Sequence, residues 1–262
     1  MTDVKAVEVE RWLKTLALAK SSKAKIRNIM SALYSHAIRW AWTKRNPITS
    51  VRQSSKRQKT PDILTPEEIA RILGELADPL RTMVELDAFT GLRRGELIGL
   101  RWEDLDFEVL VLHVRRSVVS MVAGLPKTEA SQKDVPLDAQ LAQSLFLWKQ
   151  RSPYTTPVDW VFASPHNRGK QPYWPETLWR YYGRPAVSRA KVNKHVSYHT
   201  FRHAFGTLLN ANEGNTEVVQ ELLRHASMKV TTDVYMQALS PEKRKAQSRL
   251  VQMILKKVAS QT

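Results

Sequence analysis

Apolar side chains recur at helical spacing in the first part of the chain. From Val7 to Thr43 there is no glycine or proline, and Ala, Leu, Lys and Arg are abundant. The apolar positions that follow helical spacing in its second half are Ile26, Ile29, Met30, Leu33, Ala37, Ile38 and Trp40. The pattern predicts two or more helices, with a break at Ser21-Ser22, where either serine can cap the second helix. Asn46-Pro47 ends this block, because proline cannot continue a helix.

A second helical pattern starts after a segment without apolar periodicity. Residues 50–63 carry four basic side chains and are predicted to form an extended linker. Thr65 is then a helix N-cap, Pro66 takes the first turn, and Glu68 completes a capping box. Helices are predicted over residues 67–76 and 79–89. After an interruption at Gly91, one or two further helical turns run from Arg94 to Leu100.

The pattern then changes to β. The β-branched, apolar run from Val109 to Val119 predicts a strand, residues 124–126 a turn, and Lys133 to Leu137 a short strand. From Asp138 the pattern is helical to the end, apart from a loop at about residues 152–175. The fold class is therefore mainly α with a small antiparallel β-sheet (α+β). We expect a helical domain over 1–49, the linker over 50–63 and a larger domain over 64–262.

The last predicted helix starts at Ser240-Pro241-Glu242. It carries an apolar stripe made of Leu250, Val251, Ile254 and Leu255. The stripe can cover its own domain or dock on a neighbouring protomer, and the sequence does not choose between them.

The net charge of the chain indicates the kind of molecule that it binds. The chain has a net charge of +16, and residues 1–62 hold 14 Lys and Arg against 4 Asp and Glu. A basic segment of this density favours a polyanion, and nucleic acid is preferred to a membrane surface or a simple solvated face because no amphipathic Lys/Trp anchor stands out. The candidate DNA-binding residues are Lys23, Lys25, Arg27, Arg39, Arg52, Lys56, Arg57 and Lys59.

The amino-acid composition argues against several other classes of protein and of site. There is no cysteine, so neither a disulfide framework nor a thiolate metal site can form. No apolar run approaches the length of a membrane span, and the N-terminus lacks the form of a signal peptide. We expect a cytoplasmic, nucleoid-associated protein with no membrane partner.

The first candidate for chemistry is Arg93, in the run Thr90-Gly91-Leu92-Arg93-Arg94-Gly95-Glu96-Leu97. A turn into a helix aims a long side chain into a cleft. Glu96, one helical turn later, can hold that guanidinium or a neighbouring imidazole in place. Taken alone, the run is more simply a glycine-broken helix with a surface ion pair.

A second candidate pair, His199 and Arg202, lies three residues apart on a predicted helix and therefore shares a face. His203 is expected to point elsewhere and to be structural. A histidine and an arginine one turn apart are common by chance, so this pair is weak by itself.

Three further candidates each have an ordinary structural alternative. Lys127, near the predicted turn, can donate a proton to a leaving oxygen, or can simply be solvated. His225 can bind a ligand or cap a helix. Tyr235, on a short helix that Ser227 can cap, is a candidate nucleophile or a packed aromatic side chain.

The order of these motifs closely resembles the tyrosine recombinase (phage integrase) family, from about Leu64 to Leu239. The resemblance implies a tyrosine recombinase catalytic fold preceded by a small helical core-binding domain. It also implies roles for the matching residues: Arg93 and Arg202 as the catalytic arginines, Lys127 as the hairpin lysine, His199 and His225 as the two histidines, Tyr235 as the nucleophile and Glu96 as an acidic supporting residue. Arg94 beside Arg93 is an alternative for the first arginine.

That family activity would be site-specific cleavage and rejoining of double-stranded DNA through a 3′-phosphotyrosine. It would need no metal or nucleotide cofactor, and would be carried out by a homo-oligomer that is a tetramer in the synaptic complex. The sequence departs from the family at Arg224, where glycine is frequent. It also departs in the short basic segment, from which we expect an incomplete core-binding domain. Two alternatives remain: a non-catalytic DNA-binding remnant of an integrase, and a strand relaxase similar to type IB topoisomerases.

Overall fold

A computed structural model describes residues 4–53, 62–126, 132, 134–213, 221–222 and 241–259. The chain divides into two compact units, Met1–Pro61 and Asp62–Thr262. Lys127, His225, Tyr235, Lys56, Arg57, Lys59 and Ser227 lie outside the described residues.

The N-terminal unit contains the two predicted helices, α1 (Ala6–Thr15) and α2 (Lys20–Arg39), followed by a 3-10 turn, Pro47–Ser50. The predicted break at Ser21-Ser22 is wrong, because α2 already begins at Lys20 and its N-cap is Ala19. A serine in the first turn does not interrupt a helix, because the backbone N–H groups of that turn have no intrahelical acceptor to lose.

A small core holds the N-terminal unit together. Its buried side chains are Val9, Leu13, Tyr34, Ile48 and Val51. Asn46 fixes the end of the helical block, since its amide nitrogen donates to the Ser31 carbonyl at 3.0 Å and its amide oxygen accepts from the Ile48 N–H at 3.0 Å. Helix α2 itself ends earlier than predicted, at Arg39, and Asn46 caps the 3-10 turn that begins at Pro47.

The C-terminal unit is mainly helical. Its helices are α3 (Pro66–Gly74), α4 (Leu80–Thr90), α5 (Arg94–Ile98), α6 (Ala139–Arg151), α7 (Pro175–Leu178), α8 (Arg184–Arg189), α9 (Tyr198–Glu213) and α10 (Pro241–Ala259). A π-helical turn, Trp179–Gly183, joins α7 to α8. The predicted capping box is present at the start of α3: the Glu68 N–H donates to Thr65 Oγ1 at 3.2 Å, and the Thr65 N–H donates to Glu68 Oε2 at 2.9 Å.

The described residues form two small antiparallel sheets. The first has the order β1 (Leu105–Asp106), β2 (Val111–Leu112), β5 (Val135–Pro136), and the second pairs β3 (Ser117–Val119) with β4 (Val122–Gly124). Leu112 lies opposite both Leu105 and Val135.

Two β predictions need correction. The run from Val109 to Val119 is not one strand, because it is divided between the two sheets. Between the two sheets, Arg116 pairs with Asp104 and Glu103, at 2.5 and 2.9 Å. The hairpin turn lies at Ser120 and Met121, with φ of 49° and 63°, rather than at residues 124–126. Such a two-residue loop needs positive φ at both positions, which sequence composition did not indicate here.

Helix α4 lies at the centre of the C-terminal unit. All of its residues except Arg81 are buried, and it packs against α9, α6, α5 and α10. Helix α10 packs on α3 and α9 of its own unit, with Leu250, Val251 and Ile254 buried. The Gln247 side chain donates to the Phe89 carbonyl of α4 at 2.9 Å. The apolar stripe thus covers its own domain.

The fold class is confirmed as mainly α with small antiparallel sheets. Within the described ranges, no helix is both long enough and apolar enough to span a bilayer.

Candidate active site

The turn between α4 and α5 positions Arg93. Helix α4 ends at Gly91, which has φ of +60° and donates its N–H to the Asp87 carbonyl at 2.9 Å. Arg93 then has an extended backbone and is the N-cap of α5. The reversal turns the chain sharply, so that the Arg93 side chain leaves the end of α4 and keeps about a third of its surface exposed.

Glu96 fixes Arg93 by two bonds. One carboxylate oxygen accepts from the Arg93 backbone N–H at 2.9 Å, and the other accepts from the guanidinium at 2.8 Å. Glu96 is itself buried, at 2% exposure. A buried carboxylate that binds an arginine at both its backbone and side chain restricts the guanidinium to a narrow range of positions.

Arg94 has a different environment. Its guanidinium pairs with Glu176 at 2.7 Å, and both side chains are about half exposed. It is therefore directed toward α7, while Arg93 is held by Glu96.

Arg202 brings the second motif to the first. It lies on α9, is 4% exposed, and donates a hydrogen bond from Nη1 to the Gly91 carbonyl, 111 residues away in sequence. The Arg202 guanidinium is thus anchored at the C-terminal end of α4, two residues before Arg93. The last carbonyls of a helix have no intrahelical donor, and their partial negative charge favours a cation there.

His199 is exposed one turn before Arg202. Its ring contacts that of His203, with the centroids 4.5 Å apart and the planes at 74°. The expectation that His203 points elsewhere is wrong, because residues four apart on a helix lie one above the other on the same side. Arg202 is buried and His199 exposed, so the two lie at different depths.

Aromatic packing fixes the start of α9. Trp179 of the π-helical turn contacts Tyr198 and Phe201, with centroid distances of 5.3 and 5.8 Å, and its indole N–H donates to the Val196 carbonyl at 3.1 Å. Burial raises the pKa of Tyr198, which donates to the Pro175 carbonyl at 3.4 Å. Tyr198 is therefore a structural neighbour of His199 that stays un-ionised.

Asp87 is a buried acid of α4 that the sequence analysis missed. This side chain is fully buried on α4, and burial raises its pKa well above the usual range, while the charge of Arg202 opposes the shift. The available signal was a pair of acidic residues, Glu85 and Asp87, inside the otherwise apolar run Met83–Phe89, since burying a charge is costly.

The basic residues of the N-terminal unit differ in exposure. Lys25, Arg39 and Arg52 are exposed. Lys23 is half-buried and donates to the Lys14 carbonyl at 3.3 Å, and Arg27 donates to the Thr49 carbonyl at 3.3 Å. Lys25 and Arg39 are 14 residues apart, so they lie on about the same side of α2.

Gly91→Ala tests the turn that carries the site. The added Cβ would lie 2.5 Å from Cδ1 of the buried Phe205 ring, and the left-handed backbone costs a further ~1–2 kcal/mol for an L-residue. We expect the melting temperature to fall by roughly 4–8 °C, as measured by thermal unfolding. Gly74→Ala is the matched control, because nothing lies within 4 Å of its Cβ. Equal melting temperatures for Gly91→Ala and the wild type would contradict this account.

Comparison with known proteins supplies the family context. Residues 62–241 match the model of the phage integrase family. A tyrosine recombinase of Pseudothermotoga lettingae is 30% identical over 259 residues, which cover 96% of this chain and 84% of that protein.

Two solved structures are similar in fold. The Tn1549 transposon integrase in complex with a circular intermediate DNA has a TM-score of 0.70 and 21% identity, covering 87% of this chain and 79% of that one. A lambda integrase dimer bound to a COC' core site has a TM-score of 0.63 and 21% identity, covering 90% and 85%. At these identities the likeness concerns the fold.

Proposed function

The chain belongs to the phage integrase family and is a tyrosine-type site-specific DNA recombinase, and on that premise we propose that it cleaves and rejoins double-stranded DNA through a 3′-phosphotyrosine intermediate. The observation that carries the proposal is the bond from Arg202 to the Gly91 carbonyl. It joins two arginine motifs that are distant in sequence at one turn, as two groups that bind a single phosphate require.

In the proposed cleavage step, the Tyr235 hydroxyl attacks the scissile phosphorus. The Tyr235 Oη–P bond forms as the bond from phosphorus to the 5′-oxygen breaks. His199 accepts the tyrosine proton, and Lys127 donates a proton to the leaving 5′-oxygen. Arg93, Arg202 and His225 bind the non-bridging oxygens and stabilise their charge.

Rejoining is the reverse reaction with another strand. A 5′-hydroxyl attacks the phosphotyrosine, the diester re-forms, and Tyr235 regains its proton. Because the covalent intermediate keeps the energy of the broken bond, the cycle needs no nucleotide cofactor. Two guanidiniums with a lysine and a histidine can stabilise the phosphate charge without a metal ion.

The two compact units suggest a division of labour. We assign DNA gripping to residues 1–49, a connecting role to the linker at 50–63, and catalysis to residues 64–262. Strand exchange between two duplexes requires one active site for each of four strands, so we propose a homotetramer in the synaptic complex. Its substrate would be cytoplasmic, nucleoid-associated DNA.

A nicked suicide duplex tests the function. Once the strand is cut, a short fragment diffuses away and religation is blocked, so the wild-type protein should accumulate as a denaturant-resistant adduct with DNA. A DNA shift in gels without any adduct would instead indicate a non-catalytic binding remnant. Relaxation of supercoils without joining of two duplexes would indicate a strand relaxase similar to type IB topoisomerases.

The N-terminal unit gives a prediction about binding. Lys25→Gln/Arg39→Gln removes two exposed charges from one side of α2 and should weaken binding to any duplex. If both cations contact phosphates, the slope of log K against log salt should become less steep by about 1.8. Fluorescence anisotropy at several salt concentrations measures it. Arg151→Gln is the control, because Arg151 is already paired with Asp78 at 2.8 Å. An unchanged slope in the double variant would show that this side of α2 does not contact DNA.

A further inference from the structure

The C-terminal end of α4 receives hydrogen bonds from side chains of two other helices. The last carbonyls of an α-helix have no intrahelical donor, so a buried helix end needs donors from elsewhere. Here the Gly91 carbonyl accepts from Arg202 of α9, and the Phe89 carbonyl accepts from the Gln247 amide of α10 at 2.9 Å. Phe89 and Gln247 are both buried. Helices α9 and α10 are thus both tied to the turn that carries Arg93.

The Gln247 bond differs from two other polar contacts of α10 in the element that it reaches. Arg244 donates to two carbonyls between β1 and β2, at 2.7 and 3.1 Å. Ser248 donates to the carboxylate of Asp138, the N-cap of α6, at 2.6 Å. Of these three contacts, the bond from Gln247 is the one that reaches α4, and with it the turn that carries the first arginine.

This bond can fix what the apolar contacts of α10 leave open. Leu250, Val251 and Ile254 are buried, but hydrophobic contact has no preferred direction, so it permits small shifts of one helix along another. A hydrogen bond weakens steeply when its angle is lost, and a buried carbonyl that loses its donor is costly. The bond from Gln247 to the Phe89 carbonyl therefore sets the position of α10 along α4.

The position of α10 bears on the proposed nucleophile. Tyr235 comes six residues before Pro241, the first residue of α10. Six residues of chain span at most about 20 Å, so the start of α10 limits where the tyrosine can lie relative to Arg93 and Arg202. Attack on phosphorus tolerates little error, since a misplacement of about 1 Å can cost roughly 100-fold in rate.

We propose that Gln247 is a positioning residue for the nucleophile. By bonding to the end of α4, it holds α10, and with it the segment that carries Tyr235, in register with the turn that presents Arg93 and anchors Arg202. The inference rests on the proposed function, because it concerns how the attacking tyrosine is brought to the two phosphate-binding arginines.

The experiment compares the full-length wild type with three variants of α10. Gln247→Met keeps the length of the side chain but has no N–H donor. Ser248→Ala removes a bond of the same helix that reaches α6 instead of α4. Gln252→Met makes the first change at an exposed position of the same helix. Gln247→Met and Ser248→Ala should both lower the melting temperature, because each loses a hydrogen bond.

The rate of adduct formation on the nicked suicide duplex separates positioning from stability. We expect Gln247→Met to lower the maximal single-turnover rate about 10–100-fold, because the tyrosine is misplaced. The duplex concentration that gives half of that rate should change by less than about 3-fold, since phosphate contacts elsewhere dominate the affinity. Ser248→Ala and Gln252→Met should keep the wild-type values of both quantities.

A distance measurement tests the placement itself. The chain has no cysteine, so introduced cysteines are unique labelling sites. Spin labels at Met236→Cys, beside Tyr235, and at Tyr182→Cys, which is exposed on the π-helical turn, report their separation in the duplex complex by pulsed electron paramagnetic resonance. In the doubly labelled protein, Gln247→Met should broaden or displace the distance distribution, and Ser248→Ala should leave it unchanged.

Three outcomes overturn the inference. The first is an unchanged maximal rate in Gln247→Met. The second is an equal loss of rate in Ser248→Ala or Gln252→Met, which would mean that any loosening of α10 suffices. The third is a slower Gln247→Met with an unchanged distance distribution. If the wild type forms no adduct, the proposed function fails, whereas the distance measurement still decides whether Gln247 places the segment that carries Tyr235.

Discussion

Tyr235→Phe should abolish formation of the covalent protein–DNA adduct. Phenylalanine keeps the aromatic ring but lacks the oxygen that would attack phosphorus, so we expect no adduct on a nicked suicide duplex even at long times. The measurement is a denaturing gel of labelled DNA after incubation with wild type and variant. DNA binding by the variant should be retained, because phosphate contacts elsewhere supply most of the affinity.

The control for this variant is Tyr182→Phe. Tyr182 lies on the π-helical turn and is 62% exposed, so loss of its hydroxyl should leave adduct formation unchanged. An adduct formed at normal rate by Tyr235→Phe would identify a different nucleophile and refute the assignment. Loss of activity in Tyr182→Phe alone would do the same.

The second large effect is expected for Arg202→Ala. Removal of one preorganised donor from a charge-stabilising site costs about 10²–10³ in rate. Arg202→Lys should also be strongly impaired. Lysine keeps the positive charge but cannot both donate to the Gly91 carbonyl and present a planar fork to two phosphate oxygens. Single-turnover rates of adduct formation measure both variants.

Arg94→Ala is the matched comparison, because Arg94 is an arginine of the same turn that pairs with Glu176 instead. Its rate should fall by less than about 3-fold, the range of a half-exposed ion pair that is not part of the site. If Arg94→Ala lost more rate than Arg93→Ala, the first catalytic arginine would be Arg94. If Arg202→Ala kept the wild-type rate, the two-arginine site would be wrong.

The sequence predicted features of this site well where the contacts are local. Glu96 lies three residues after Arg93, and a capping position naturally brings these two together at short range. The start of α3 at Thr65 and Glu68 follows from the same logic. The hairpin turn at Ser120 and Met121 was missed because neither residue is typical of positive φ. Likewise, Ser21 or Ser22 was predicted as the N-cap of α2, but the N-cap is Ala19, two or three residues earlier. A serine at the cap and a serine in the first turn differ only in backbone geometry, which the sequence does not show.

Long-range contacts were beyond the reach of local patterns. The bond from Arg202 to the Gly91 carbonyl depends on how α9 packs against α4, and no spacing in the sequence contains that information. The contact between His199 and His203 was available from helical periodicity but was misjudged. Asp87 was missed because an acid on a helix is usually a solvated side chain, and only burial on all sides shows that it is not.

The amino-acid sequence by itself determined the family, the candidate residues and their order, because side-chain chemistry and short-range spacing are written directly in the chain. The tertiary structure alone decided that Arg202 reaches the Gly91 carbonyl at the end of α4 and that α10 covers its own domain. The physical reason is that burial and counter-charge depend on helices packed together from distant parts of the chain, and the free energy of a charge depends on whether water can reach it.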